Sequence, residues 1–302
     1  MTSGPHVIGV DAYTFGQWGA FDVRVTEAAG PNNDTCASAM TLSWSKGQAS
    51  AAGSTALASN TVQLSPTLGC TGAAFKGGDL FFAVPLNAGK TYRVAAQPDK
   101  GFDLSLLLLS GCGGSAACVK GADRELAGGE EVLYFTPSAS GTYRVVLGSR
   151  RAPGTYGSSG SFALDITEAS KPANDTCGKA APLSMAGGVA KVVGDTGLAT
   201  NALKLDSKAC TSFASPGPDL FYSVTLTGGK TYKVTLFSTT TFDPMLYALT
   251  GCGVTACVAG SDNPGDGKVE TLTLSPKVTT TYTIAVDAHD AQDVGAFTLY
   301  IQ

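Results

Sequence analysis

The sequence contains few of the residues on which enzyme sites and nucleic-acid surfaces depend. Its 302 residues include 2 histidines, charged residues make up 15% of the chain, and the net charge is −4. No block of lysine and arginine is present, so a nucleic-acid or anionic-membrane partner is not expected. Neither His6 nor His289 lies in a catalytic motif such as Gly-x-Ser-x-Gly or His-Glu-x-x-His. We therefore predict that the chain is not an enzyme.

Long apolar segments and helical periodicity are also missing. The longest apolar run, residues 104–109, is interrupted by Ser105 and has the length of a buried strand. It is far too short to cross a bilayer as a helix, so no transmembrane segment is predicted. The opening residues MTSGPH have neither the basic nor the apolar region of a signal peptide.

Cysteine is present in an even number, 8, and falls into two matching sets of four. Repeated pairs at fixed spacing indicate a disulfide framework and therefore an extracellular or cell-surface location. Because no signal peptide is visible, we expect the chain to have been excised from a longer secreted precursor. The first set is Cys36, Cys70, Cys112 and Cys118, and the second is Cys177, Cys210, Cys252 and Cys257.

Within each set three disulfide pairings are possible, and the spacing favours local ones. The last two cysteines of a set flank a short glycine-rich loop, and the first two would join the start of the repeat to the stretch before its first long strand. A zinc site built from all four thiolates is the alternative, but its usual two-residue spacing is absent. The local interpretation pairs Cys36 with Cys70, Cys112 with Cys118, Cys177 with Cys210 and Cys252 with Cys257.

Residues 31–168 and 172–302 repeat each other from end to end. GGDLFFAVPLNAGKTYRV in the first repeat corresponds to GPDLFYSVTLTGGKTYKV in the second. Self-similarity at this length indicates two copies of a whole domain. Runs of β-branched and aromatic residues bounded by Gly, Asn or Pro predict about eight short antiparallel strands in each copy. We therefore expect an all-β fold with two tandem antiparallel β-sandwich domains.

The first residues of the chain resemble the end of a repeat. HVIGVDAYTFGQWGAF at residues 6–21 corresponds to YTIAVDAHDAQDVGAF at residues 282–297. This predicts a β-hairpin before the first sandwich, either as the tail of a preceding repeat or as strands donated to the first sandwich. Because a lone hairpin is marginal in water, we expect residues 6–27 to pair with that sandwich or with a neighbouring molecule. The predicted divisions are residues 1–29, 30–168 and 169–302.

The order of strand and turn residues in each copy resembles the bacterial pre-peptidase C-terminal domain. The resemblance is carried by DLFF, NAGKTYRV, FDLSL, GTYRV and SFAL in that order, and it covers roughly residues 77–168 and 217–302. It implies a jelly-roll-like sandwich appended to secreted peptidases or large surface proteins, with a non-catalytic role in secretion, stability or adhesion. Some relatives in bacterial collagenases bind calcium and collagen, but no ligand set transfers residue by residue.

Repeated polar residues make calcium the small ligand that the sequence favours most, although no cofactor is required. An Asn-Asp pair recurs at the start of each repeat, and a single Asp recurs before the first long strand. Oxygen ligands that converge from these two places would suit calcium. The alternative is that the same side chains cap turns by bonding to the backbone. The candidate ligands are Asn33, Asp34 and Asp79 in the first repeat and Asn174, Asp175 and Asp219 in the second.

A candidate binding surface lies in the loop AYTFGQWG, since the matching loop near residue 290 contains no aromatic residue. Tyr13, Phe15 and Trp18 would stack on sugars or anchor a protein partner. Alternatively, they cover an exposed edge or pack against the adjacent module.

Together these features favour a non-catalytic binding or spacer module of a larger secreted or cell-surface protein, with adhesion as one role. Its expected partners are an extracellular protein or polysaccharide and the neighbouring repeats. The alternatives are the accessory C-terminal region of a secreted peptidase, tethering it to substrate, and a glycan-binding module.

Overall fold

The chain divides into two units in the computed structural model, Met1–Gly30 and Pro31–Gln302. Among the described residues no helix has the length and apolar character needed to cross a membrane. The structure describes residues 5–62, 70–71, 75–113, 117–205, 210–211, 214–239, 241–253, 256–291 and 293–302.

The second unit contains the strands of both repeats. The strands of the first repeat are β1 (Met40–Thr41), β2 (Gln48–Ser54), β3 (Leu80–Leu86), β4 (Thr91–Pro98), β5 (Ser105–Leu109), β6 (Cys118–Ala122), β7 (Glu131–Phe135), β8 (Gly141–Gly148) and β9 (Ser161–Ala169). A single 3₁₀ turn, Cys177–Lys179, opens the described part of the second repeat. Its strands are β10 (Ala181–Pro182), β11 (Ala190–Asp195), β12 (Leu220–Leu226), β13 (Tyr232–Ser238), β14 (Pro244–Leu249), β15 (Cys257–Ser261), β16 (Glu270–Leu274), β17 (Thr280–Ala288) and β18 (Ala296–Ile301).

Each repeat folds into a five-stranded and a four-stranded sheet with the same strand order. The first repeat has β1-β3-β8-β5-β6 and β2-β9-β4-β7, and the second has β10-β12-β17-β14-β15 and β11-β18-β13-β16. The pairings are antiparallel except for the short parallel pairs β1–β3 and β10–β12. The all-β sandwich fold predicted from the sequence is confirmed.

The five-stranded sheet is apolar on both faces. All five residues of β5 are buried, and their side chains alternate between two apolar clusters. Leu106 and Leu108 lie in the core between the two sheets. Leu107 and Leu109 lie in a second cluster on the opposite face. This outer face therefore needs a cover of its own.

The cover is the long segment between the second and third strands of each repeat. We call residues 55–79 and 196–219 the cover segments; their described parts contain no strand. Val62 and Phe75 pack against the outer face in the first repeat. Leu203 and Leu205 do the same in the second.

Four disulfides join residues on this outer face to the β5–β6 and β14–β15 hairpins. All eight cysteines are paired, which leaves no thiolate for the zinc site considered above. A disulfide framework of this kind is typical of proteins from an oxidising compartment. The pairs are Cys36–Cys112, Cys70–Cys118, Cys177–Cys252 and Cys210–Cys257.

The local pairing expected from the spacing is wrong in both repeats. Cys112 and Cys118 lie at the tip of the β5–β6 hairpin, but each bonds to a cysteine that crosses the outer face of the sheet. Cys70 lies against Gly121 of β6, where an added Cβ would come within 3.2 Å of the Cys70 Cβ atom. Cys70–Cys118 and Cys210–Cys257 therefore fasten the cover segments to the sheet, and Cys36–Cys112 and Cys177–Cys252 fasten the start of each repeat to the same hairpin.

The first unit differs from the predicted hairpin. None of the described residues 5–29 lies in a strand. Apolar side chains in this segment are exposed, including Val7 at 97% and Val25 at 74%. Two strands without further partners gain little from pairing in water, which is the physical reason for the difference.

The disulfide pairing can be tested directly by mass spectrometry of peptides from the non-reduced protein. We expect the Cys70–Cys118 and Cys210–Cys257 peptides and no Cys112–Cys118 peptide. Replacing Cys70 and Cys118 together by serine should lower the free energy of unfolding by about 4 kcal/mol, because the bridge closes a long loop in the unfolded chain.

The matched control is the double serine variant at Cys210 and Cys257. Its bridge spans 47 residues against 48 in the first repeat, so the losses in urea unfolding should be comparable. Recovery of a Cys112–Cys118 peptide would contradict the observed pairing.

Candidate functional site

A recess of about 450 Å³ lies where the two sandwiches meet, inside the second unit. One wall is the loop between β6 and β7 of the first sandwich. The other is formed by the start of the cover segment and two loops of the second sandwich. The lining residues described below are Arg124, Glu125, Glu131, Tyr134, Asp195 and Thr241.

A buried carboxyl group shapes the first wall. Glu131, the first residue of β7, is 2% exposed. Its Oε1 atom accepts a hydrogen bond from the backbone N–H of Glu125 at 2.7 Å. Burial raises the pKa of Glu131 to about 7, although hydrogen bonds from the backbone of Arg124 and Glu125 act to lower it. The second repeat uses Glu270 in the same way, with the Asn263 N–H as donor at 2.9 Å.

The loop held by Glu131 makes the contacts between the sandwiches. The Arg124 guanidinium donates to Asp293 Oδ1 at 2.7 Å and to the Thr241 carbonyl at 3.1 Å. The Thr241 hydroxyl donates to the Glu125 carboxylate. Asp293 is itself fixed, because its Oδ2 accepts the Asp243 N–H at 2.7 Å. The loop therefore joins the two sandwiches through a continuous polar network.

A second connection crosses the recess. The Tyr134 hydroxyl donates to Asp195 Oδ2 at 2.9 Å. Burial and the neighbouring Asp195 charge raise the pKa of Tyr134, so the phenol stays a donor. Arg93 pairs with Glu130 at 2.7 Å on the same wall. Each of these charges is matched by a protein partner, which suits a fixed joint between domains.

Asp79 and Asp219, two of the predicted calcium ligands, hold the cover segments. Asp79 Oδ2 accepts the backbone N–H groups of Thr61 and Val62, both at 2.8 Å. Asp219 Oδ2 accepts those of Ala202 and Leu203 at 2.6 and 2.7 Å. A cover without strands leaves backbone donors unpaired, and these carboxylates supply the missing acceptors.

The four remaining predicted ligands bond to the protein in the same region. Asn33 Nδ2 donates to the Phe81 carbonyl at 3.1 Å, and Asn174 Nδ2 to the Phe221 carbonyl at 3.0 Å. Asp34 accepts the N–H and hydroxyl of Ser59. Asp175 does the same for Thr200.

All of these contacts reach residues at least 16 positions away in the chain, so they are long-range ties and not the local turn caps considered as the alternative from the sequence. In the part of the chain that the structure describes, no group of three or more His, Cys, Asp or Glu side chains is arranged to hold a metal ion.

The environment of the buried aspartate differs between the repeats. Asp79 Oδ1 faces Gly148 of β8, where an added Cβ would lie 2.6 Å from that oxygen. In the second repeat Asp287 of β17 takes the position of Gly148, as the pairing with β12 shows. Asp219 and Asp287 are both fully buried and adjacent. Burial and the Asp219 charge raise the pKa of Asp287 well above its ordinary value.

The three aromatic residues predicted as a binding surface are exposed in the first unit. Tyr13, Phe15 and Trp18 have relative exposures of 100, 109 and 95%. Sequence reasoning found these residues but missed Arg124 and Glu131. The available signal for Glu131 was its recurrence as Glu270 at the start of the corresponding strand.

No protein-family model matches the chain, and no curated protein is a match. Among solved structures, it is similar to the pre-peptidase C-terminal domain of a collagenase from Bacillus anthracis, with 10% identity, a TM-score of 0.27 and coverage of 44% of this chain and 98% of that one. It is also similar to tripeptidyl peptidase 2, with 9% identity, a TM-score of 0.25 and coverage of 87% of this chain and 24% of that one. The family resemblance therefore stays a prediction from the sequence.

The buried carboxyl groups predict a pH-dependent stability. Burial raises the pKa of Asp79 to about 7, so its folded form favours the protonated state. Protonated Asp79 therefore adds to the free energy of unfolding. This addition is fully present below the pKa of an aspartate in the unfolded chain, about 4, and is lost as the pH rises from about 4 to about 7. Asp79→Asn should reduce the fall in unfolding free energy over this interval by up to about 4 kcal/mol.

Urea unfolding between pH 4 and pH 8 measures this effect. Asp99→Asn serves as the control, because Asp99 is exposed and only its backbone forms hydrogen bonds. An unchanged pH dependence in Asp79→Asn, equal to that of the Asp99 control, would show that Asp79 does not titrate in this way.

Proposed function

We propose that the chain is a non-catalytic binding or spacer module of a larger secreted or cell-surface protein. Its work is mechanical: it holds a binding surface, or a neighbouring domain, in a fixed position. The observation that carries this proposal is the joint between the sandwiches, in which Arg124 and Glu125 connect the two bodies. Two domains that move independently on a flexible linker would not need such contacts between them.

The use of charge within the fold supports the same function. Asp79 and Asp219 hold the cover segments, and Glu131 holds the loop that carries Arg124. Carboxyl groups with raised pKa values are candidates for acid–base chemistry when they face a cleft. Here one oxygen of each group is bonded to backbone N–H groups that the fold must satisfy, which gives the groups a structural role.

The disulfides support secretion. Four bridges that fasten loops to sheets are stable where thiols are oxidised, and they protect an exposed module from unfolding and proteolysis. A module that spaces or binds outside the cell needs this protection, since an opened cover would expose the apolar outer face of the sheet.

The exposed aromatics of the first unit favour adhesion as the binding role. Tyr13, Phe15 and Trp18 lie within six consecutive positions and offer their rings to solvent. Aromatic side chains provide much contact area at little conformational cost, on sugars as well as on proteins. We propose that this loop contacts an extracellular protein or polysaccharide.

A retention assay tests the proposed function. The full chain is incubated with insoluble collagen, peptidoglycan and cellulose, and bound protein and released fragments are measured together. We expect saturable retention on at least one polymer without release of fragments. Trp18→Ala should weaken that retention at least fivefold, and a calcium chelator should leave it unchanged, because the six predicted calcium ligands bond to the protein.

The control is Val278→Ala, which changes an exposed apolar residue outside the first unit and outside the recess. Release of polymer fragments in proportion to added protein would refute the non-catalytic function, and absence of retention on every polymer would refute the binding role. Retention that Trp18→Ala leaves intact would refute the role of the aromatic loop alone.

A further inference from the structure

We propose that the outer face of the four-stranded sheet of the second sandwich is a binding site for an acidic polysaccharide. This inference rests on the proposed binding function and deepens it by naming a surface and a ligand class. The face is formed by alternate residues of β11, β13 and β18, and we call it the aromatic face. It consists of Lys191, Lys233, Thr235, Phe237, Thr298 and Tyr300.

The strand register places these residues side by side. Tyr300 lies opposite Lys191 of β11 on one side and opposite Thr235 of β13 on the other. Phe237 lies opposite Thr298 in the next row. The Phe237 and Tyr300 rings meet edge to face with their centroids 5.8 Å apart. The Lys191 ammonium lies 5.2 Å from the Tyr300 ring centroid.

Packing of the sandwich does not require these aromatic residues. Val234, Leu236 and Leu299 on the same strands point inward and are fully buried. Phe237 points the other way and is 46% exposed. This edge-to-face aromatic pair lies on the solvent side of the sheet, beside a shallow recess of about 530 Å³.

The first sandwich provides an internal comparison. Val94 pairs with Ile166 in the first sandwich, and Val234 pairs with Ile301 in the second. Treating these two pairs as equivalent aligns the two four-stranded sheets residue by residue. The position of Tyr300 is then held by Asp165, that of Phe237 by Gln97 and that of Lys191 by Ser50. The same fold forms without an aromatic or cationic residue at these three positions, so their presence in the second repeat reflects a specific role.

The chemistry of the face fits an acidic polysaccharide. The exposed Phe237 ring and the half-buried Tyr300 ring would pack against the apolar C–H faces of sugar rings, and the half-buried Thr298 hydroxyl would bond to a sugar hydroxyl. Neither Lys191 nor Lys233 has a carboxylate within ion-pair distance in the described part of the chain. The Lys233 ammonium, and the Lys191 ammonium that lies over the Tyr300 ring, are complementary to the carboxylates of a uronate polymer.

Affinity electrophoresis of the full chain through gels containing polygalacturonate tests the proposal. The neutral comparison ligand is the fully methyl-esterified polymer, which has the same backbone without the charge. We expect binding to polygalacturonate and at least tenfold weaker binding to the ester. Phe237→Ala with Tyr300→Ala should lose at least tenfold in affinity, and Lys191→Ala with Lys233→Ala should lose a similar factor and much of the salt dependence.

Two controls keep the test decisive. Ser50→Ala changes the position in the first sandwich that corresponds to Lys191 and should bind like the unmodified chain. If the double alanine variant melts early, Phe237→Gln with Tyr300→Asn replaces it, because the first sandwich folds with Gln and Asp at these positions and Asn adds no charge. Melting temperatures of all variants are compared with that of the unmodified chain.

The outcomes separate this inference from the proposed function. Equal binding of the ester, or full affinity in the aromatic variant, would overturn the proposed site. Retention on collagen, peptidoglycan or cellulose without any binding to polygalacturonate would overturn the ligand class and leave the binding function standing. Absence of binding to all four polymers would refute both this inference and the binding role.

Discussion

The structure depends on the burial of one sheet on both of its faces. The five-stranded sheet of each sandwich has apolar side chains on either side, and only one side meets the partner sheet. The other side is closed by a cover segment whose described part contains no strand, so its backbone cannot satisfy its own hydrogen bonds through pairing. The buried side chains of Asp79 and Asp219 supply the missing acceptors, because each accepts hydrogen bonds from two backbone N–H groups of its cover segment.

The disulfides and the buried carboxyl groups serve the same purpose by different means. A bridge such as Cys70–Cys118 reduces the conformational freedom of the unfolded cover, and Asp79 fixes its folded path. Burial raises the pKa of Asp79 to about 7, although its two backbone hydrogen bonds oppose the rise. Glu131 repeats this arrangement at the joint, where its hydrogen bonds place Arg124 and Glu125 against the second sandwich.

Strands with continuous apolar runs could be predicted from the sequence, and those without could not. β3, β4, β8 and β9 coincide with β-branched and aromatic runs. β2 consists of small and polar residues, so its strand conformation comes from pairing with β9. Apolar alternation over residues 6–27 resembles that of β17 and β18, but those two strands have partners on both sides.

The site was predicted less well than the fold, for a related reason. Spacing along the chain indicated the eight cysteines but not their partners, because the pairing depends on which segment crosses the outer face of the sheet. Asp79 and Asp219 were predicted as calcium ligands, and the partners that the structure shows for them are backbone N–H groups. Arg124 has no counterpart of the same charge in the second repeat, where the loop reads DNPGDGKV, so repetition could not reveal it.

The most direct test of this account is native-state hydrogen exchange of the cover segment. In the unmodified protein the amides of Thr61 and Val62 should be strongly protected, since both bond to Asp79. Asp79→Ala should remove that protection while Ala202 and Leu203, held by Asp219, keep theirs. Rapid exchange of Thr61 and Val62 already in the unmodified protein would contradict the claim that buried carboxyl groups hold the cover in place.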